Sequence, residues 1–167
     1  FHARHSARSR SYVYQVARRR TAFAKPLVWW VKDDLNVATM RAVAKRLVGF
    51  HDFRSFSDDD PDQKSTTVSL TSLEIHEAGD ILLFRVEGSH FIWKMVRRLV
   101  GVIVEVGRGG LTADEAVVML SSESELPARL TAPASGLFLE RVRYDGDQPE
   151  SQDPYGMLPA RDAIHLK

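Results

Sequence analysis

The chain contains no cysteine, so neither disulfide bridges nor thiolate metal ligands contribute to its stability, and a reducing compartment, the cytoplasm, is the expected setting. It also lacks a long apolar run. The longest candidate, over 91–106, is interrupted by Lys94, Arg97, Arg98 and Glu105. That falls short of the roughly 18 apolar residues that signal a membrane span, so a soluble protein without membrane contact is expected. Hydrolase and metalloenzyme signatures are missing as well. There is no G-x-S-x-G, and the six histidines are scattered without an H-E-x-x-H helix. Asp58, Asp59, Asp60 and Asp62 lack the spacing, glycine and closing glutamate of a calcium loop. They read as a solvated charge run, and no metal site is expected.

Acidic residues are absent from positions 1–32, which hold eight basic ones: Arg4, Arg8, Arg10, Arg18, Arg19, Arg20, Lys25 and Lys32. The remainder carries 15 basic against 22 acidic groups, so a net charge of only +1 conceals a cationic end on a mildly acidic body. Clustered cations release counterions from phosphates and suit a polyanion-binding surface, while a strand with a solvated basic face accounts equally well for the pattern. The interleaving of Arg4, Arg8 and Arg10 with Tyr12 and Tyr14 is the combination that contacts phosphates while stacking on an unpaired base. Either tyrosine, both on one face of their strand, also serves as core packing.

With 167 residues, 44% of them hydrophobic, the chain can build one core: a single domain over 1–145 and a loosely ordered tail over 146–167. It begins at Phe1 rather than Met, and a fragment or single domain of a longer protein is expected. Alternation predicts strands over 11–17, 27–31, 68–76, 81–87 and 137–144, the third and fourth joined as a hairpin. Helical periodicity predicts a helix capped by Asn36 and closed by Gly49, a second over 91–106 followed by a C-capping glycine in 107–110, and a third over 112–121 with Thr112 and Glu115 as a capping box. The set implies an α+β domain with a mainly antiparallel sheet and helices packed on one face. The other face needs an occupant, whether a partner domain, a nucleic acid or both. The 91–106 helix is apolar on two sides, which places Arg97 at an interface. There it either meets a carboxylate or phosphate, or snorkels to water while Trp93 fills the core.

Four blocks resemble the TruA family of tRNA pseudouridine synthases: Phe1-His-Ala-Arg4 with Arg10-Ser-Tyr12-Val-Tyr14; Gly49-Phe-His51-Asp52-Phe53-Arg-Ser55-Phe56; Phe91-Ile-Trp-Lys-Met95-Val96-Arg97-Arg-Leu-Val-Gly101 through Gly107; and Ala134-Ser-Gly136-Leu137-Phe-Leu139. They are collinear with the family over 1–144. The resemblance implies a pseudouridine synthase-like fold, half of it RRM- or ferredoxin-like, and isomerisation of uridine to pseudouridine in the anticodon arm of tRNA. It implies no metal or organic cofactor, and a homodimer when full length. It assigns Tyr12 to stacking on the target base, Leu137 to the wall of the uracil pocket and Arg97 to pairing with the catalytic aspartate; Arg4, Arg8 and Arg10, from the basic stretch interleaved with aromatics, are the expected RNA contacts.

The family's nucleophile lies in an Arg-Thr-Asp-x-Gly-Val-His motif that precedes the Phe-His-Ala-Arg block, and no such motif occurs here. The expectation is therefore the C-terminal half of a synthase, inactive alone, its N-terminal domain missing. A non-catalytic RNA-binding module on the same fold is the alternative. Smaller departures are Ile92-Trp93-Lys94, where the family often has histidine or asparagine, and Ser69, near where an arginine often precedes the hairpin.

Overall fold

A computed structural model describes residues 7–22, 24–60, 62 and 64–147. Arg4, the Phe-His-Ala-Arg block and the tail from 148 onward lie outside the described residues. The elements run β1 (Ala7–Ala17), β2 (Trp29–Trp30), α1 (Val37–Leu47), β3 (Gly49–Asp52), β4 (Thr67–Ala78), β5 (Ile81–Gly88), α2 (Met95–Arg108), α3 (Ala113–Val118), α4 (Leu126–Arg129) and β6 (Leu137–Tyr144). The sheet order is β2-β1-β5-β4-β3, with β6 also paired to β1. All pairings are antiparallel except the short β1–β2 contact at Val16 and Ala17. The α+β, mainly antiparallel architecture is thus the one the sequence predicts.

Register explains which face is buried. Tyr12, Tyr14 and Val16 of β1 stand opposite Val86, Phe84 and Leu82 of β5, and Leu73 and Ile75 of β4 continue the row. These residues form one core with Met40, Val43 and Leu47 of α1 and Met95, Leu99, Ile103 and Val106 of α2. The reverse face alternates Ser11, Gln15, Arg85 and Glu87 with Val13 and Leu83. α2 is buried almost all round, as its two-sided apolar pattern requires. On its far side the chain segment 130–132 comes so close that a Cβ at Gly101 would lie 1.8 Å from the Leu130 carbonyl oxygen. Gly109, at φ 83°, ends the helix in the left-handed conformation glycine favours.

The caps follow prediction: Asn36 Oδ1 accepts from the Thr39 N–H at 3.1 Å, and Thr112 and Glu115 close the capping box. Several boundaries differ; β1, for example, begins at Ala7 rather than at 11. The 27–31 strand shrinks to Trp29–Trp30 because Pro26, lacking an N–H, starts a 3-10 turn over Lys25–Leu27. α2 begins at Met95 rather than Phe91, since Lys94 adopts a left-handed φ of 62° and breaks the first turn. Trp93 consequently lies outside the helix and is 59% exposed instead of filling the core. α3 stops at Val118. Residues 49–52, for which the sequence predicts no strand, pair with the start of β4 as β3. Among the described residues no helix is long and apolar enough to cross a membrane.

Candidate functional site

Three chain segments far apart in sequence converge beside the N-terminus of α2. β1 contributes Tyr12, α2 contributes Arg97, and the first residue of β6 is Leu137. With Phe91, Trp93 and Lys94 they line one concavity of about 340 Å³. Tyr12 is positioned edge-on against Phe91, with ring centres 5.1 Å apart and planes at 84°, a favourable geometry for two aromatic quadrupoles.

Arg97 is half-buried in the first turn of α2. Its Nε donates to the Ala132 carbonyl at 2.7 Å, and the Ala132 N–H donates back to the Arg97 carbonyl at 3.0 Å. This reciprocal clamp orients the guanidinium by a neutral acceptor. Among the described residues no carboxylate stands within ion-pair distance of it. The next residue of the same segment serves Tyr14, which is fully buried and donates its hydroxyl to the Pro133 carbonyl at 2.6 Å. Burial pushes the Tyr14 phenol above its ordinary range, and the neighbouring Arg97 charge partly opposes the shift.

The acidic run is not simply solvated. Asp58 pairs with both Lys94 and Arg98, and Arg98, 6% exposed, also donates to the Ser57 carbonyl. Hydrogen bonding from Lys94, reinforced by the Arg98 charge against the opposing effect of partial burial, holds the Asp58 carboxyl below the usual carboxylate range. A left-handed non-glycine residue costs roughly 1–3 kcal/mol, and Lys94, at φ 62° on the pocket rim, is such a residue while its ammonium pairs with Asp58. Asp60, from the same loop, reaches the concavity too. Composition alone gave no sign of either contact.

The basic end is partly neutralised within the chain. Arg8 pairs with Asp145 at 3.5 Å, Arg18 with Glu77 at 2.9 Å and Arg19 with Asp80 at 3.5 Å. The Arg8 side chain remains 76% exposed, and such surface pairs contribute little, so it stays accessible to a phosphate. Arg10 shares the strand face of Tyr12 and lies close enough to His90 to reinforce the lowering of that imidazole's pKa by burial. Of the residues singled out in the sequence, Tyr12, Arg97 and Leu137 meet at one site. Arg10 lies next to it, Arg8 at the far end of β1, and Arg4 outside the described residues. Phe91, Lys94, Asp58 and the backbone of 132–133 were not foreseen as parts of it.

Fold and pocket together define an α+β domain of the pseudouridine synthase-like kind. A sequence profile described as tRNA pseudouridine synthase matches residues 43–145, and the chain belongs to that family. It is 36% identical over 146 residues to tRNA pseudouridine synthase A 2 of Bacillus anthracis, covering 86% of this chain and 60% of that protein. The corresponding protein of Geobacter sulfurreducens, tRNA pseudouridine synthase A, is 38% identical over 146 residues, with 86% and 60% covered. That of Nitrobacter winogradskyi is 37% identical over 155 residues, with 92% and 61% covered. The chain thus spans about 60% of the length of the curated relatives it matches.

Proposed function

We propose that this chain supplies the uracil-pocket wall and the RNA-binding surface of an enzyme that isomerises uridine to pseudouridine in the anticodon arm of tRNA. The nucleophilic aspartate comes from the part of the family's sequence that this chain does not match, and the whole enzyme works in the cytoplasm as a homodimer without metal or organic cofactor. The observation that carries the reading is the convergence of Tyr12, Arg97 and Leu137 on one concavity of about 340 Å³, within the range of small-molecule sites and roomy enough for a flipped nucleotide.

In this reading a uridine leaves the RNA stack, and Tyr12, braced by Phe91, offers it an aromatic platform. Leu137 closes the apolar side. Arg97 holds the incoming carboxylate: the Ala132 clamp uses Nε and leaves the two Nη groups to grip it as a fork. Pairing with a guanidinium keeps that carboxylate ionised, as attack on the nucleotide or assisted glycosidic cleavage requires. The uracil freed within the pocket then turns, its C5 bonds to ribose C1′ in place of N1, and loss of the C5 proton with protonation of N1 leaves the nucleotide isomerised with no net change in atoms.

The test is pseudouridine formation in an unmodified tRNA transcript by the complete gene product, together with reading of its coding sequence for an Arg-Thr-Asp-like motif. Product formation that disappears in Arg97→Ala and Tyr12→Ala is the expected result. Absence of both motif and product, with tRNA binding retained, would instead identify a non-catalytic RNA-binding module.

A further inference from the structure

A second concavity of about 800 Å³ opens on the other side of the 132–137 segment. Its walls include Arg20, Lys25, Trp29, Trp30, Pro133 and Ser135, and among the described residues no acidic one lines it. Arg18 and Arg19, immediately before it, are paired with Glu77 and Asp80. By contrast, neither Arg20 nor Lys25 has a carboxylate at ion-pair distance among the described residues. Arg20 instead lies over the Trp30 ring, 5.6 Å from its centroid, and Trp30 is 43% exposed. The floor is rigid: Trp29 packs edge-on against Tyr14 at 6.5 Å, and Ser135 Oγ donates to the Val28 carbonyl at 3.3 Å.

We infer that this groove is a second RNA subsite, which holds a single-stranded stretch of the tRNA substrate by stacking a base on Trp30 and binding its phosphates through Arg20 and Lys25. The inference rests on the proposed function for the identity of the RNA. An aromatic ring flanked by cations, with no carboxylate paired to them or lining the groove among the described residues, is the chemistry of single-strand binding: every base has a face to stack, and each phosphate contact releases a counterion. The groove also shares a wall with the candidate pocket. Pro133 and Ser135 face it, while Leu137, a few residues on, faces the pocket with Tyr12 and Arg97. An RNA strand delivering its target base to one side of this partition has the adjoining side as its next surface.

The probe is a fluorescein-labelled, unmodified tRNA transcript titrated with the chain by anisotropy between about 50 and 200 mM KCl, the range over which phosphate contacts dominate affinity. The double variant Arg20→Glu/Lys25→Glu, with both side chains on the surface, should flatten the slope of log affinity against log salt by about 1.4, at roughly 0.7 per single-strand phosphate. Trp30→Ala should weaken binding roughly 5- to 150-fold, the equivalent of about 1–3 kcal/mol for loss of one stacked base, and Trp30→Phe should restore most of it. A salt slope unchanged in the double variant, or equal affinities for wild type and Trp30→Ala, overturns the subsite, as does a wild-type chain that binds no tRNA. Turnover of the complete gene product separates the two readings. If the wild type makes pseudouridine while the groove variants keep its affinity and salt slope, the groove fails and the proposed function stands. If no pseudouridine forms yet the groove variants lose binding as described, the reverse holds.

Discussion

Replacing Gly101 by alanine tests the mechanical link between the α2 core and the pocket. An added Cβ would fall 1.8 Å from the Leu130 carbonyl oxygen and 2.7 Å from its carbon, both backbone atoms, whereas ordinary contact begins near 3.4 Å. Segment 130–132 would have to retreat by about 1.6 Å, the difference between those separations. That displacement exceeds what either hydrogen bond between Arg97 and Ala132 can follow, at 2.7 and 3.0 Å. Overpacking alone costs about 1–3 kcal/mol. Losing one neutral hydrogen bond and one from a guanidinium adds about 1 and about 2 kcal/mol. The sum, about 4–6 kcal/mol, corresponds to a fall in Tm of about 8–24 °C for a domain of this size, at about 2–4 °C per kcal/mol. Thermal melts followed by far-UV circular dichroism measure it directly. Gly79→Asn is the control, because nothing stands within 4 Å of that position and its φ of 61° suits asparagine; its Tm should stay within a few degrees. A Gly101→Ala protein melting within about 2 °C of wild type would refute the claim that segment 130–132 is packed rigidly on α2.

Tyr14→Phe should cost about 1–1.5 kcal/mol, from loss of the 2.6 Å hydrogen bond to the Pro133 carbonyl, read as a shift in urea midpoint at neutral pH. The same variant should change the alkaline limb. The folded-state pKa of this phenol is raised by burial, so its contribution to stability is complete below the unfolded value near 10 and declines above it. The wild type should lose stability more steeply than Tyr14→Phe above pH 10, and parallel limbs would count against the burial argument. Asp58→Asn should destabilise by roughly 1–3 kcal/mol at pH 7, by leaving the buried Arg98 without its counterion. Because the Asp58 pKa is lowered in the fold, the wild-type advantage is present above the unfolded value near 4 and disappears as pH falls through the folded one. Urea titrations from pH 7 to pH 2 should show the two proteins converging. In the complete enzyme, Arg97→Lys should retain charge but lose the fork. We expect its kcat for pseudouridine formation to fall at least tenfold, with tRNA affinity changed less than threefold; wild-type turnover would remove Arg97 from its proposed role.

Much of the fold was legible because its elements obey simple periods. The alternation along β4 and the Gly79-Asp80 turn mark the hairpin, β6 occupies 137–144 as predicted, and Thr112 with Glu115 caps the first turn of α3. The failures share a physical cause: the decisive atoms belong to tertiary context. Nothing in the residue type marks Lys94 for a left-handed conformation, which arises beside its ion pair with Asp58. The carbonyls of Ala132 and Pro133, which orient Arg97 and Tyr14, are invisible to any reading of side chains. The acid-free stretch at the start leaves a polyanion-binding surface and a solvated strand face equally open; Arg8, Arg18 and Arg19 find acids contributed from elsewhere in the chain, whereas among the described residues of that stretch Arg20, Lys25 and Lys32 have no carboxylate at ion-pair distance.

The two-sided helix raised the question of what answers the charge on Arg97, and the structure narrows the answers. Snorkelling to open water fails, because Nε is committed to the Ala132 carbonyl and the side chain lines a concavity. Neutralisation within the described chain fails too, since the nearest bonded acceptor is an uncharged peptide oxygen. A guanidinium held half-buried against a neutral acceptor is oriented but not compensated, and it favours any anion that enters the concavity. Asp60, which also lines the site, does not reach ion-pair distance. A mobile phosphate could satisfy the charge but would not explain why a flat aromatic and an apolar leucine face the same space. A carboxylate delivered together with a base explains all three, which is why the isomerase reading outranks that of a general RNA-binding module.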